Sequence, residues 1–281
     1  NTASNVAAFG SGALYTNTTG TGNTALGPSA YGATQGPLGL NTTGSYNTAV
    51  GMQALLSNTT ASWNTAVGYQ AGSGNTTGLI TAVGSQALQQ NTTGVANVAV
   101  GGYTSGLDYA ALWSNTTGSY NTSIGSAALR SNTTGSSNTA VGYKAGYSNT
   151  TGAANIAIGP YSLENNSTSG YNVVIGVEAG RFTTGEKNTL VGYSAGVSNT
   201  SGAFNCYIGE SSGGFATTGT KNTFIGTSSG YYMTTGSSNT ILGRFNGNQG
   251  GLDIRTSSNN IVLSDGDGNI GLVWRNGNLM L

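Results

Sequence analysis

"NTAVGYQAG" runs from Asn64 to Gly72, "NTAVGYKAG" from Asn138 to Gly146 and "NTLVGYSAG" from Asn188 to Gly196. The glycine that closes each "NTAVG"-like segment recurs at Gly10, Gly27, Gly51, Gly68, Gly84, Gly101, Gly125, Gly142, Gly159, Gly176, Gly192, Gly209, Gly226 and Gly243. The step is 17 residues, apart from two steps of 24 and two of 16. A fixed period of this length marks one supersecondary unit per repeat, stacked on its neighbours.

The columns around the anchor glycine predict how each unit folds. The residue before it is apolar in every copy and mostly β-branched, from Phe9, Leu26 and Val50 to Ile208, Ile225 and Leu242. That column reads as a buried strand position. The residue before that is Ala from Ala8 to Ala157 except at Ser123, and reads as a face packed tightly against something. The same column enlarges to Val174, Leu190, Tyr207, Phe224 and Ile241, which predicts a widening contact toward the C-terminus. Segments such as "QALLS" read as a second short strand, and "NTTG" as the turn that closes the coil. Asn opens the strand in every copy except those of Val6 and Ile80. Asn47, Asn64, Asn121, Asn138, Asn155, Asn172, Asn188, Asn205, Asn222 and Asn239 therefore form a predicted structural ladder of stacked amides. The fold class expected is an all-β parallel β-solenoid, or β-roll, of stacked 17-residue coils. One such coil encloses little apolar volume, so packing or intertwining as a homotrimer is expected to supply the missing burial.

Composition narrows the function classes. Of 281 residues, 48 are Gly, 3 are Pro and 6% are charged, against roughly 25% charged in ordinary domains. Glycine without a three-residue period excludes collagen, and the recurring apolar columns exclude a disordered linker. Eight basic residues balance eight acidic ones, so no field gathers nucleic acid or anionic lipid. His is absent and Cys206 is alone, which removes the commonest general base, the usual zinc sites and any intrachain disulfide. The chain is read as a non-enzyme without cofactors. No apolar run reaches the ~18 residues of a membrane span, so no membrane insertion is expected in this segment.

The unit "NTAVGYQAG-x-NTTG", recurring over about residues 5–246, resembles the stacked repeats of phage tail fibres and related trimeric fibre proteins. Those repeats often precede an endosialidase-type intramolecular chaperone. "NVAVG" at Asn97–Gly101 and "NIAIG" at Asn155–Gly159 are more loosely similar to the head repeats of trimeric autotransporter adhesins, whose coils are shorter. The resemblance implies a homotrimeric, extracellular shaft on a virion or cell surface, with a cell-surface glycan or protein as receptor. A bacterial surface adhesin, a self-assembling surface filament and an ice- or carbohydrate-binding solenoid are the alternatives.

Residues 1–243 are assigned to the repeat shaft and 244–281 to a C-terminal β-hairpin or meander module, where "NNIVLSDGDGNIGLVWRNGNLML" departs from the period. The two long steps place insertions within 28–40 and 102–114. Loops added to a rigid scaffold commonly carry binding groups, so Tyr31, Tyr103, Asp108, Tyr109 and Trp113 are the receptor-contact candidates, although packing onto adjacent coils is the preferred reading of the same residues. Asp265, Asp267 and Asn269 alternate as calcium-binding oxygens can, but the remaining ligands of a calcium loop are missing, and a plain turn is the preferred reading. "NTT" triplets such as Asn115–Thr117 match the N-glycosylation acceptor, although repetition alone creates them.

Overall fold

A computed structural model describes residues 3–102, 109–275 and 278–280. The chain is all-β, a parallel β-solenoid of about 15 coils spaced about 17 residues apart. Contacts divide it into two units, Asn1–Lys144 and Ala145–Leu281.

The first unit contributes β1 (Ala7–Phe9), β2 (Thr24–Leu26), β3 (Thr48–Val50), β4 (Thr65–Val67), β5 (Ile80–Val83), β6 (Asn97–Val100), β7 (Thr122–Ile124) and β8 (Thr139–Val141). Each pairs in parallel with the next, in a register that puts like on like: Thr48, Ala49 and Val50 oppose Thr65, Ala66 and Val67. The second unit repeats this with β9 (Ile156–Ile158), β10 (Val173–Ile175), β11 (Thr189–Val191), β12 (Cys206–Ile208), β13 (Thr223–Ile225) and β14 (Thr240–Leu242). After a two-stranded antiparallel excursion, β15 (Asn248–Gln249) and β16 (Leu252–Asp253), the ladder continues beyond Gly243 as β17 (Asn260–Ser264) pairs in parallel with β14. Two antiparallel strands, β18 (Ile270–Arg275) and β19 (Asn278–Met280), then follow on β17.

The Ala column is packed inward as expected, but the apolar column before the anchor glycine, expected to be buried, faces outward. The Ala column is buried, Ala49, Ala66, Ala82 and Ala99 being fully inaccessible, whereas Leu26, Val67, Val100 and Ile124 are 36–44% exposed. Where a Leu of the facing turn fills the interior, as Leu55 and Leu88 do, a small side chain fits inward from the strand, and the two-residue alternation then turns the β-branched neighbour outward.

The expected second strand is a turn instead. Residues two and four beyond the anchor glycine take left-handed backbone, as at Gln53 (φ 59°) and Leu55 (φ 50°). That conformation costs roughly 1–2 kcal/mol per L-residue. Here it aims Leu14, Leu38, Leu55, Leu88, Leu112 and Leu129 into the core opposite the Ala column. The turn still hydrogen-bonds to the next coil, Leu55 N to Ala71 O at 3.0 Å and Ser57 N to Ser73 O at 3.0 Å, without the dihedrals of a strand. The anchor glycines are required by the stacking itself: a Cβ on Gly68 (φ 136°) would lie 2.6 Å from the Gly84 carbonyl carbon.

The enlarging strand column is offset inside the coil, because volume is exchanged across it. Where the strand supplies Val174, Leu190, Tyr207 and Phe224, the left-handed Leu is replaced by Gly180, Gly196, Gly213 and Gly230. A Cβ on Gly213 would meet Tyr207 Cδ2 at 2.6 Å, and one on Gly230 would meet Phe224 Cδ2 at 2.6 Å. The two rings stack at 4.8 Å between centroids and 4° between planes. Burial pushes the Tyr207 phenol pKa well up, with the Asn222 amide acting in the opposite direction, and the hydroxyl has no hydrogen-bond partner of good geometry among the described residues. Gly72 fits the same rule by another route, since its missing Cβ would meet Cδ1 of Ile80, the residue that replaces an asparagine.

Candidate functional site

Two asparagine columns hold the coils together. The predicted ladder asparagines are all buried. Their amides act chiefly as peptide surrogates rather than as a simple amide chain. Asn222 Oδ1 accepts the N–H of Asn239 at 2.9 Å, while its Nδ2 donates to Gly236 O at 2.8 Å. The pattern repeats from Asn47, which donates its N–H to Asn23 Oδ1 at 2.9 Å, to Asn260, which donates to Asn239 Oδ1 at 3.0 Å. Amide-to-amide contacts such as Asn64 Nδ2 to Asn47 Oδ1 at 3.1 Å are added to it.

The amide chain proper lies in the asparagine of "NTTG". Asn41 Nδ2 donates to Asn17 Oδ1 at 2.8 Å, Asn58 to Asn41 at 2.9 Å, Asn91 to Asn75 at 2.8 Å and Asn115 to Asn91 at 2.8 Å. Each also donates to the carbonyl three residues on, as Asn115 Nδ2 does to Gly118 O at 2.9 Å, so one side chain closes its own turn and binds the next coil. The signal for this role is their own recurrence in step with the period from Asn17 to Asn199, interrupted by Thr183 and ending before Ala216 and Met233. Full burial of Asn115 also leaves no room for a linked glycan in the folded chain.

The receptor-contact candidates fall into three groups. Tyr31, in the first insertion, is fully exposed. Tyr109 and Trp113, in the second, lie together with ring centroids 5.0 Å apart, and the Arg130 guanidinium carbon sits 3.8 Å from the Tyr109 centroid. Trp113 Nε1 donates to Gln89 Oε1, and Gln89 Nε2 in turn donates to Gln70 Oε1 at 2.8 Å, tying the indole to neighbouring coils. Tyr103 and Asp108 lie outside the described residues.

An unforeseen aromatic pair stands on the same unit. Tyr46 and Trp63 precede ladder asparagines in left-handed backbone, project into solvent and stack at 4.3 Å and 15°. The Asp265–Asn269 segment is a turn: Asp265 Oδ1 accepts the N–H groups of Asp267 at 3.0 Å and Asn269 at 2.8 Å, and Oδ2 accepts Asn269 Nδ2 at 2.9 Å. The Asn269 amide, followed by these N–H groups, holds the Asp265 carboxyl below its usual range. No group of three or more metal-ligating His, Cys, Asp or Glu side chains occurs among the described residues. No helix among them is long and apolar enough to cross a membrane.

The outward strand face of each unit is apolar. In the second, Ile175, Ile208, Ile225, Leu242 and Leu263 form an exposed column in the same register as the strands. No protein-family model, curated protein or solved structure matches the chain.

Proposed function

We propose that this chain is the structural shaft of an extracellular homotrimeric fibre for host recognition or adhesion, the tail fibre of a phage. The observation that carries the reading is the outward apolar column: β-branched and Leu side chains repeat on successive strands of each unit and face solvent. Contiguous apolar surface of this kind on a soluble chain marks a place where another chain sits. The thin core of Ala, Leu and a few rings supports the same reading, since association adds burial that a single coil lacks. The number three and the phage setting rest on the resemblance of the "NTAVG…NTTG" unit to trimeric fibre repeats, and a bacterial surface adhesin or filament would use the same construction.

Light scattering coupled to size-exclusion chromatography tests it. A mass of three chains is expected, and Ile225→Lys, which places a charge in the exposed column, is expected to lower it. A stable single chain overturns the proposal. A second reading, an ice- or carbohydrate-binding solenoid, is favoured by the in-register Thr column of Thr48, Thr65 and Thr81 beside the apolar one. Thermal hysteresis from a single-chain species would establish its ice-binding form.

A further inference from the structure

The second unit holds a cleft of ≈ 360 Å³ that the repeat does not require. It is lined by Tyr231, Tyr232, Arg244, Asn246, Gln249 and Asp267, and lies within the size range of small-ligand sites. The Tyr231 and Tyr232 rings meet at 74° with centroids 4.9 Å apart, forming a corner of two aromatic walls. Phe215 supports that corner, edge-on to Tyr231 at 4.9 Å and parallel to Tyr232 at 6.1 Å. Opposite are polar groups with capacity to spare. Neither the Arg244 guanidinium nor the Asp267 carboxylate has a side-chain partner among the described residues.

The turn at Asp265 explains how Asp267 comes to line this cleft. Asp265 Oδ1 holds the N–H of Asp267 at 3.0 Å, and Gln249 Nε2 donates to the Asp267 carbonyl at 3.2 Å. Asn246 Oδ1 accepts the Asn248 N–H at 2.9 Å, which leaves its Nδ2 with no acceptor among the described residues. The alternating Asp-Gly-Asp-Gly-Asn sequence thus builds one polar wall of a pocket instead of a cation loop.

We infer that this cleft binds a neutral saccharide. A pyranose ring presents an apolar C–H face to aromatic walls and hydroxyls that both donate and accept at its rim. Asp267 is an acceptor for hydroxyl pairs, and Arg244, Asn246 and Gln249 are donors to hydroxyl oxygens. One guanidinium and one carboxylate cancel, so the lining carries no net charge to favour an anionic or cationic ligand. The inference deepens the fibre reading, on which its role in host recognition rests, while the binding itself is read out on one chain or three.

Saturation-transfer NMR with a panel of methyl glycosides of glucose, galactose, mannose and N-acetylglucosamine, with glucuronic and sialic acids as charged controls, tests it. At least one is expected to receive saturation on its ring protons. Asp267→Asn and Tyr232→Ala are each expected to weaken binding about tenfold or more, the loss of a charge-assisted contact or of an aromatic wall. Tyr31→Ala, in the other unit, is expected to leave it unchanged. Circular dichroism melts identify folded variants, and Asp267→Asn alters only an exposed carboxylate. No transfer to any neutral glycoside, transfer only to glucuronic or sialic acid, or equal binding by the Asp267 and Tyr232 variants overturns the inference. The mass of the same sample separates the two proposals: three chains without transfer removes the pocket alone, and one chain with transfer removes the fibre alone.

Discussion

Exchange of volume across the coil makes the Tyr207 and Gly213 pair interchangeable with an Ala and Leu pair. Tyr207→Ala removes a buried ring stacked on Phe224 at 4.8 Å, at a cost of about 3–5 kcal/mol. Gly213→Leu alone puts a Cβ 2.6 Å from Tyr207 Cδ2, at about 1–3 kcal/mol for overpacking plus roughly 1–2 kcal/mol for a side chain at φ 61°. If the sites were independent, the double variant would lose at least about 5 kcal/mol. Combined in one chain, the two substitutions recreate the Ala49 and Leu55 arrangement of the first unit, leaving only the backbone strain and the lost ring contact, about 2–3 kcal/mol. A favourable coupling of about 2–3 kcal/mol is therefore expected. Stacked coils can unfold piecewise, so the double-mutant cycle is best measured by hydrogen exchange at amides of this coil, such as Gly213 N–H, which bonds Ser229 O at 2.9 Å, alongside denaturant melts. Losses that simply add, within about 0.5 kcal/mol, would refute the volume-exchange reasoning.

Other consequences can be checked on the same chain. Tyr207→Phe is expected to be neutral or to stabilise by up to about 1 kcal/mol in thermal melts, because it removes a buried hydroxyl without a good partner and the next coil already carries Phe224. Asn222→Ala strips partners from the Asn239 N–H and the Gly236 carbonyl and is expected to cost about 2–5 kcal/mol; a loss below about 1 kcal/mol in denaturant unfolding would contradict the peptide-surrogate role. The Arg255 side chain, followed by its backbone N–H, holds the Asp253 carboxyl down at about 2. Because this folded-state value lies below the ordinary one of about 3.9, the stabilisation is complete above that value and is lost as pH falls through about 2. Carbon-13 NMR of the Asp253 carboxyl should show that low midpoint, and Arg255→Ala should return it to the usual carboxylate range.

Much of this architecture was legible in the letters because a stacked fold writes one physical environment once per coil. The anchor glycines marked the repeat, and the structure gives the reason for them, since the backbone at Gly68 presses on that at Gly84. The strand asparagines reported an inter-coil bond, and the 17-residue period reported a solenoid. Strand direction followed as well, since identical columns fall into register only in parallel pairing.

What the letters left open was which way each side chain points. Alternation says only that Ala66 and Val67 face opposite sides; the volume left inside the closed coil decides that Ala66 goes in and Val67 goes out. The turn could not be read as a turn because Leu55 is a poor candidate for left-handed backbone by itself, and only burial opposite Ala49 compensates its strain. The cleft of the second unit was equally hidden, for Tyr232, Arg244 and Asp267 stand far apart in the chain and meet only once the coils are stacked. Periodic sequence determined the repeating unit and its pairing, since both are local or recur unchanged from coil to coil; tertiary structure alone decided inside from outside, because that depends on how much volume the closed coil leaves.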